Sequence, residues 1–128
     1  MSTPGTIHIG AVAERTGLSL RTLRHYDEVG LLPPSARSEG GFRLYTESDV
    51  ERLLLIRRMK PLGFSLDEMA DLLQIAHSLA AGQHDGHDGG PALRRRLDEY
   101  VVAAQERRAD LARKLDMADE LIGLLRDL

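Results

Sequence analysis

Residues 16–32 read TGLSLRTLRHYDEVGLL, and the organisation of the chain can be worked outward from them. Upstream, Ile9, Val12 and Ala13 recur at helical spacing until Gly17 breaks it. Ser19 is then a good N-cap for a second helix, whose buried side is expected to carry Leu20 and Leu23. The product is helix, short turn, helix. Gly30 is placed to end the second helix, and Pro33-Pro34 stops any helix from resuming, so the next segment must be extended.

That extended segment holds Ser35 to Ser38, then Glu39-Gly40-Gly41, then Phe42-Arg43-Leu44-Tyr45. Paired glycines accept the positive φ angles of tight hairpins, so two short strands around a Gly-Gly turn are expected. Period-two alternation puts Phe42 and Leu44 on an inner face, with Arg43 and Tyr45 on the outer one and Arg37 projecting outward near them. Two capping signatures follow. Thr46-Glu-Ser-Asp49 opens a helix through Val50, Leu53, Leu54 and Ile56, which Pro61 ends, and Ser65-Leu-Asp-Glu68 opens one through Met69, Leu72 and Leu73.

Residues 76–91 turn small, polar and glycine-rich and read as a mobile linker between a first domain, 1–75, and a last element, 92–128. In that element Leu93, Leu97, Tyr100, Val101, Ala104, Leu111, Leu115, Ala118, Ile122 and Leu125 recur at threes and fours, the pattern of one amphipathic helix roughly 50 Å long. Such a helix outreaches a globule the size of the first domain, and its stripe needs a cover. If about ten stripe residues each gained half of the ~1.5–3 kcal/mol available on full burial, the gross gain would be on the order of 10 kcal/mol. Homodimerisation through Leu97, Tyr100, Ala104, Leu111, Leu115, Ala118 and Ile122 is the simplest cover, and packing within one chain is the alternative. Arg107, Arg108 and Lys114 interrupt a strict heptad, and spacing leaves parallel and antiparallel pairing open.

The composition, with 42% apolar, 29% charged and 4% aromatic residues and no Trp, is that of a globular, leucine-rich, helical chain. The absence of Cys excludes disulfides, thiolate metal sites and cysteine nucleophiles. A length of 128 residues leaves no room for two full catalytic domains. The longest apolar run, Leu53 to Ile56, is too short for a bilayer, and the start MSTPGTIHIGAV lacks a signal-peptide pattern, so a soluble cytoplasmic protein without a membrane partner is expected. The net charge of −3 hides a division: residues 1–64 hold nine Lys/Arg against seven Asp/Glu, and residues 65–128 hold eight against thirteen. Affinity for nucleic acid comes from local cations that displace counterions, so the first half matters more than the total.

A helix-turn-helix followed by an Arg-bearing hairpin is a DNA-reading arrangement. The second helix fits the major groove while the wing reaches a neighbouring groove or the backbone. Here Arg21, Thr22, His25 and Tyr26 are expected to lie mostly away from Leu20 and Leu23, with Arg24 adjacent and Ser19 at the cap. The blander reading pairs Arg21 and Arg24 with Asp27 or Glu28 on the same helix and leaves Tyr26 and Tyr45 as packing residues.

Ile9-Gly-Ala-Val-Ala, the stretch from Thr16 to Leu32, Gly40-Gly-Phe-Arg-Leu-Tyr, and Leu62-Gly-Phe-Ser-Leu-Asp-Glu-Met resemble, in unbroken order over residues 7–75, the MerR family of bacterial transcription regulators. The resemblance implies a mainly α fold: a winged helix-turn-helix DNA-binding domain with a small β-hairpin wing, followed by a long dimerisation helix that forms an antiparallel coiled coil. It implies that Arg21, Thr22, Arg24 and Tyr26 contact bases or phosphates, that Arg43 acts in the wing with Tyr45 beside it, and that Lys60 approaches the backbone from a second wing. Two residues depart from the family pattern. His25 stands where Tyr is common, and Pro61 follows Lys60 where a helix former is usual.

The implied mechanism is a homodimer on a pseudo-palindromic operator in double-stranded promoter DNA, bending and untwisting it so that the promoter elements realign for RNA polymerase. A small-molecule effector would shift a two-state equilibrium of the dimer. No cofactor is expected, and no separate sensor domain is expected after the helix that ends at Leu128. His84-Asp-Gly-His87-Asp88, with His77 nearby, is the one tract that can ligate a metal, and a solvated loop is the preferred reading. The rival functions are a helical interaction protein without operator affinity and a small metal-dependent hydrolase, for which a third fixed ligand and a paired general base are missing.

Overall fold

The structure, a computed structural model, describes residues 5–82 and 89–128, and the chain divides into two units, one ending at Leu73 and one starting at Gln74. The first unit runs β1 (Ile7–His8), α1 (Ile9–Thr16), α2 (Leu20–Glu28), β2 (Ala36–Arg37), β3 (Arg43–Tyr45), α3 (Glu47–Met59), a 3₁₀ turn (Lys60–Leu62) and the start of α4 (Leu66–Ala81). α1 stops where Gly17 turns left-handed at φ 73°, its N–H reaching the Ala13 carbonyl at 2.9 Å, a conformation that favours a residue without Cβ. The Thr16 hydroxyl donates to the Val12 carbonyl at 2.8 Å and accepts the Leu18 N–H at 3.2 Å, so the turn satisfies its own backbone. Ser19 then caps α2 by accepting the Thr22 N–H at 3.0 Å.

The sheet is antiparallel in the order β1-β3-β2, with Ile7 opposite Tyr45 on one edge of β3 and Arg37 opposite Arg43 on the other. β1 is two residues long and carries no period of its own, so no pattern announces it. The expected alternation fails at the two ends of β3. Phe42, expected inside, is 68% exposed at the turn, whereas Tyr45, expected outside, is fully buried beside Leu44. Phe42 lies in the turn before β3, where strand alternation does not apply, and Tyr45 is the last residue of β3, directly before the Thr46 cap of α3, where the chain leaves the strand.

Val12, Leu23, Tyr26, Leu32, Leu44, Tyr45, Val50, Leu53, Ile56 and Met59 are among the buried side chains of this unit. Each large aliphatic one contributes about 1.5–3 kcal/mol by leaving water. Polar ties fix the helices. Arg57 donates to the Thr16 carbonyl at 2.5 Å, joining α3 to the end of α1, and Arg15 grips Glu47 through two bonds of 2.7 Å. Both capping signatures form reciprocally, Thr46 with Asp49 at 2.9 and 3.2 Å and Ser65 with Glu68 at 2.9 and 3.1 Å. Asp49 is fully buried and also accepts from Ser35 and Arg52, each at 2.5 Å, which ties the chain entering the wing to α3.

The second unit holds the rest of α4 and α5 (Gly89–Arg126), whose 38 residues span about 57 Å. The expected linker over 76–91 is corrected at both ends. α4 continues to Ala81 because Ala76, Leu79, Ala80 and Ala81 are good helix formers, and α5 starts at Gly89 with Pro91 in its first turn, where a missing N–H costs nothing. Along α5, Leu97, Tyr100 and Ala104 are half-buried, while every residue from Asp110 onward is exposed. No helix among the described residues is long and apolar enough to cross a membrane.

Candidate nucleic-acid interface

Arg21, Arg24, His25 and Glu28 fall at i, i+3, i+4 and i+7 along α2 and form one exposed stripe. The opposite face is anchored by Leu23 and Tyr26, 1% and 3% exposed. Tyr26, expected to point outward, therefore belongs to the core: it follows Leu23 by three residues and shares its side of the helix. Burial pushes its phenol pKa up. Leu20, expected to be buried, is the first residue of α2 and stays 39% exposed at the helix end. The Ser19 hydroxyl donates to the Thr22 hydroxyl at 2.8 Å while accepting the Thr22 N–H, so both side chains are fixed at the start of the helix.

Arg21, Thr22, Arg24, His25, Tyr26 and Glu28 line a depression of about 590 Å³, and Lys60 completes it from the 3₁₀ turn. Pro61 follows Lys60 inside that turn and accommodates its tight φ; the chain then reverses at Gly63, whose N–H reaches the Lys60 carbonyl at 3.0 Å. The lining is thus three cations against one carboxylate, and among the described residues none of Arg21, Arg24 and Lys60 is held in an ion pair. The same-helix pairs weighed from the sequence do not form.

Asp27 instead accepts from the wing. Its Oδ2 takes Arg43 Nε at 2.7 Å and Arg37 Nη2 at 2.9 Å. The Arg43 hydrogen bond is the main cause holding the Asp27 carboxyl below its ordinary range, with Arg37 adding to it against the opposing effect of burial. The wing turn closes with the Ser38 N–H on the Phe42 carbonyl at 2.9 Å and the Gly41 N–H on the Ser38 carbonyl at 2.9 Å, Gly41 taking φ 82°. A Cβ on Gly40 would lie 3.0 Å from the Phe42 ring, so glycine lets that ring fold over the turn. Tyr45, expected to stand beside Arg43 on the DNA side, is enclosed, and its buried hydroxyl has no hydrogen-bond partner among the described residues.

The structure brings together Arg21, Thr22, Arg24, His25 and Lys60, with Tyr26 behind them and Ser19 at the helix cap. Arg37 and Arg43 meet on Asp27 rather than in this depression, and Tyr45 lies inside. Asp27 and Glu28 figure in the sequence reading only as same-helix partners for Arg21 and Arg24, and exposed Phe42 only as an inner-face residue. Glu28 could have been found from its i+7 position on the Arg21 stripe, whereas the Asp27 pairing is a tertiary contact with no local signal. His77 is exposed on α4, and His84 and His87 lie outside the described residues.

Residues 7–75 match the family described as MerR HTH family regulatory protein. The chain is 39% identical over 120 residues to the mercuric resistance operon regulatory protein of Bacillus cereus, covering 94% of this chain and 80% of that one. It is 35% identical over 122 residues to an HTH-type transcriptional regulator of Pseudomonas aeruginosa, covering 95% and 82%. Against the HTH-type transcriptional activator mta of Bacillus subtilis the identity is 37% over 105 residues, which is 82% of this chain but 37% of that longer relative. Among solved structures, HiNmlR, a MerR family regulator lacking the sensor domain and bound to promoter DNA, superimposes with a TM-score of 0.70 at 27% identity, covering 95% of this chain and 91% of that one. On these matches, which run through the helix-turn-helix, the wing and α3, the chain belongs to the MerR helix-turn-helix family of regulatory proteins.

Proposed function

We propose that this chain is a homodimeric, sequence-specific transcription regulator that sets α2 into the major groove of a pseudo-palindromic promoter operator and distorts the DNA to control initiation. The observation that carries the reading is the meeting of unpaired Arg21, Arg24 and Lys60 on one depression with Thr22 and His25. Guanidinium groups on an exposed helix face suit guanine edges and phosphates, and an ammonium at a turn suits a phosphate as a point charge. We assign Arg21, Arg24 and His25 to bases or adjacent phosphates. Ser19, Thr22, Lys60, Arg37 and Arg43 go to the backbone, and Tyr26 and Tyr45 to the packing that supports helix and wing.

The exposed stripe of α5, with Leu111, Leu115, Ala118 and Ile122, supports a second copy as its cover. A two-fold pair offers two recognition helices to half-sites about 34 Å apart, and contacts at both ends offset the energy of deforming the duplex between them. The likeness to DNA-bound HiNmlR supports the same reading. RNA polymerase at the realigned promoter is the downstream partner and the cytoplasm the place of action. Any effector acts by shifting the equilibrium of the dimer. The chain is read as a regulator with no enzymatic step.

A gel-shift titration at fixed salt, using DNA from upstream of the chain's own gene, tests this. The wild type should retard a discrete fragment, and Arg24→Ala should weaken binding by about 1–3 kcal/mol. Failure of the wild type to bind any promoter fragment would contradict the proposal.

A further inference from the structure

We infer that Asp27 is a positioning residue for DNA recognition, holding the two wing arginines at a set angle to α2 so that helix and wing meet one duplex as a single surface. The inference rests on the DNA-binding reading above.

Three observations carry it. One carboxylate oxygen, Oδ2, is shared by Arg43 Nε at 2.7 Å and Arg37 Nη2 at 2.9 Å, and these arginines stand directly opposite each other across β2 and β3. Among the described residues these two bonds are the side-chain polar ties between α2 and the wing. The exposure is graded: the Asp27 side chain is 13% exposed, Arg43 25% and Arg37 48%, so the carboxylate lies beneath and the guanidinium groups reach outward.

A guanidinium has five N–H donors, and a single bond to Asp27 leaves most of each fork free for phosphate oxygens. If the arginines served only as charge, the carboxylate would be a defect, since it cuts the local charge of the trio from +2 to +1. What it supplies is direction. Asp27 also directly precedes Glu28, the last member of the outward stripe, so the wing is fixed to the end of the surface that reads the groove.

The test uses the full chain, an operator fragment selected by the wild type from a random DNA pool, and an unrelated fragment of equal length, each titrated across a range of salt. Asp27→Asn should lower operator affinity about tenfold, as the loss of one good contact does. On the unrelated fragment it should raise affinity and steepen the salt dependence by about 0.9 per protomer, because one more net cation faces phosphate. Asp27→Glu keeps the charge and moves the oxygens, so operator affinity should fall with the salt slope unchanged. An operator-to-unrelated ratio that survives both substitutions would overturn the inference. So would a parallel loss on both fragments with no steeper slope, which is what simple loosening of the fold gives. If the wild type selects no fragment at all, the DNA-binding reading fails first and the inference with it.

Discussion

Placing aspartates at Leu111 and Leu115 together should separate the dimer. The two side chains are 44% and 64% exposed in the single chain, so covering them recovers about half of full burial, about 1 kcal/mol each. A two-fold interface counts each residue twice, which brings the apolar loss to about 4 kcal/mol. Four carboxylates drawn into the seam add several kcal/mol more in desolvation, and a total of roughly 6 kcal/mol or above raises the dissociation constant about ten-thousandfold. Light scattering at micromolar concentration should then report the single-chain mass of 14.2 kDa for the double variant and twice that for the wild type. Operator affinity should fall with the mass, because each lone chain keeps only one grip. A double variant that still scatters as a dimer would refute the seam, and a wild type that scatters as one chain would refute the dimer itself.

Asp49 should make the first unit acid-sensitive. Burial would raise its pKa, but hydrogen bonds from Ser35, the Thr46 N–H and Arg52 outweigh it and hold the carboxyl below the ordinary carboxylate range. Its contribution is therefore complete above the unfolded carboxylate range and is lost as pH falls through the depressed folded value. Thermal melts should be flat near neutrality and drop below about pH 4, and Asp49→Ala should cost about 3 kcal/mol near neutrality; a stable Ala variant would contradict this. Tyr45→Phe removes a buried hydroxyl that has no partner among the described residues, so its melting temperature should equal or exceed that of the wild type, and a loss above about 1 kcal/mol would reveal a bond to that oxygen. Phe42→Ala at the exposed wing tip should change stability by less than about 0.5 kcal/mol, and a larger loss in denaturant titration would show that the ring is part of the core.

Local chemistry made much of this fold readable. Gly17 with Ser19 marked the turn between α1 and α2, Thr46 with Asp49 and Ser65 with Glu68 marked two helix starts, and the threes and fours after Leu93 marked α5. Each of these signals acts within a few residues of chain. The errors came at strand ends, on one helix face and where distant elements decide. Phe42 falls in the turn before β3 and Tyr45 at the strand's last position before α3, and alternation within the strand governs neither end. Tyr26, expected away from the Leu20 and Leu23 side, follows Leu23 by three residues and so shares its face, which puts the ring in the core. Arg21, Arg24 and Lys60 could be named as cations, but that Lys60 shares a depression with α2 depends on the turn after α3. The pairing of Arg37 and Arg43 with Asp27 joins residues that no local rule connects.

The salt dependence of operator binding bears most directly on whether unpaired cations on two recognition surfaces grip the duplex. Three such cations per protomer, Arg21, Arg24 and Lys60, with the net single positive charge of Arg37, Arg43 and Asp27, make eight per dimer. With all eight on phosphate, the logarithm of the binding constant should fall against the logarithm of salt with a slope of about −7, and Lys60→Ala should flatten that slope by about 1.8. A slope near zero, or one that Lys60→Ala leaves untouched, would contradict the grip described here.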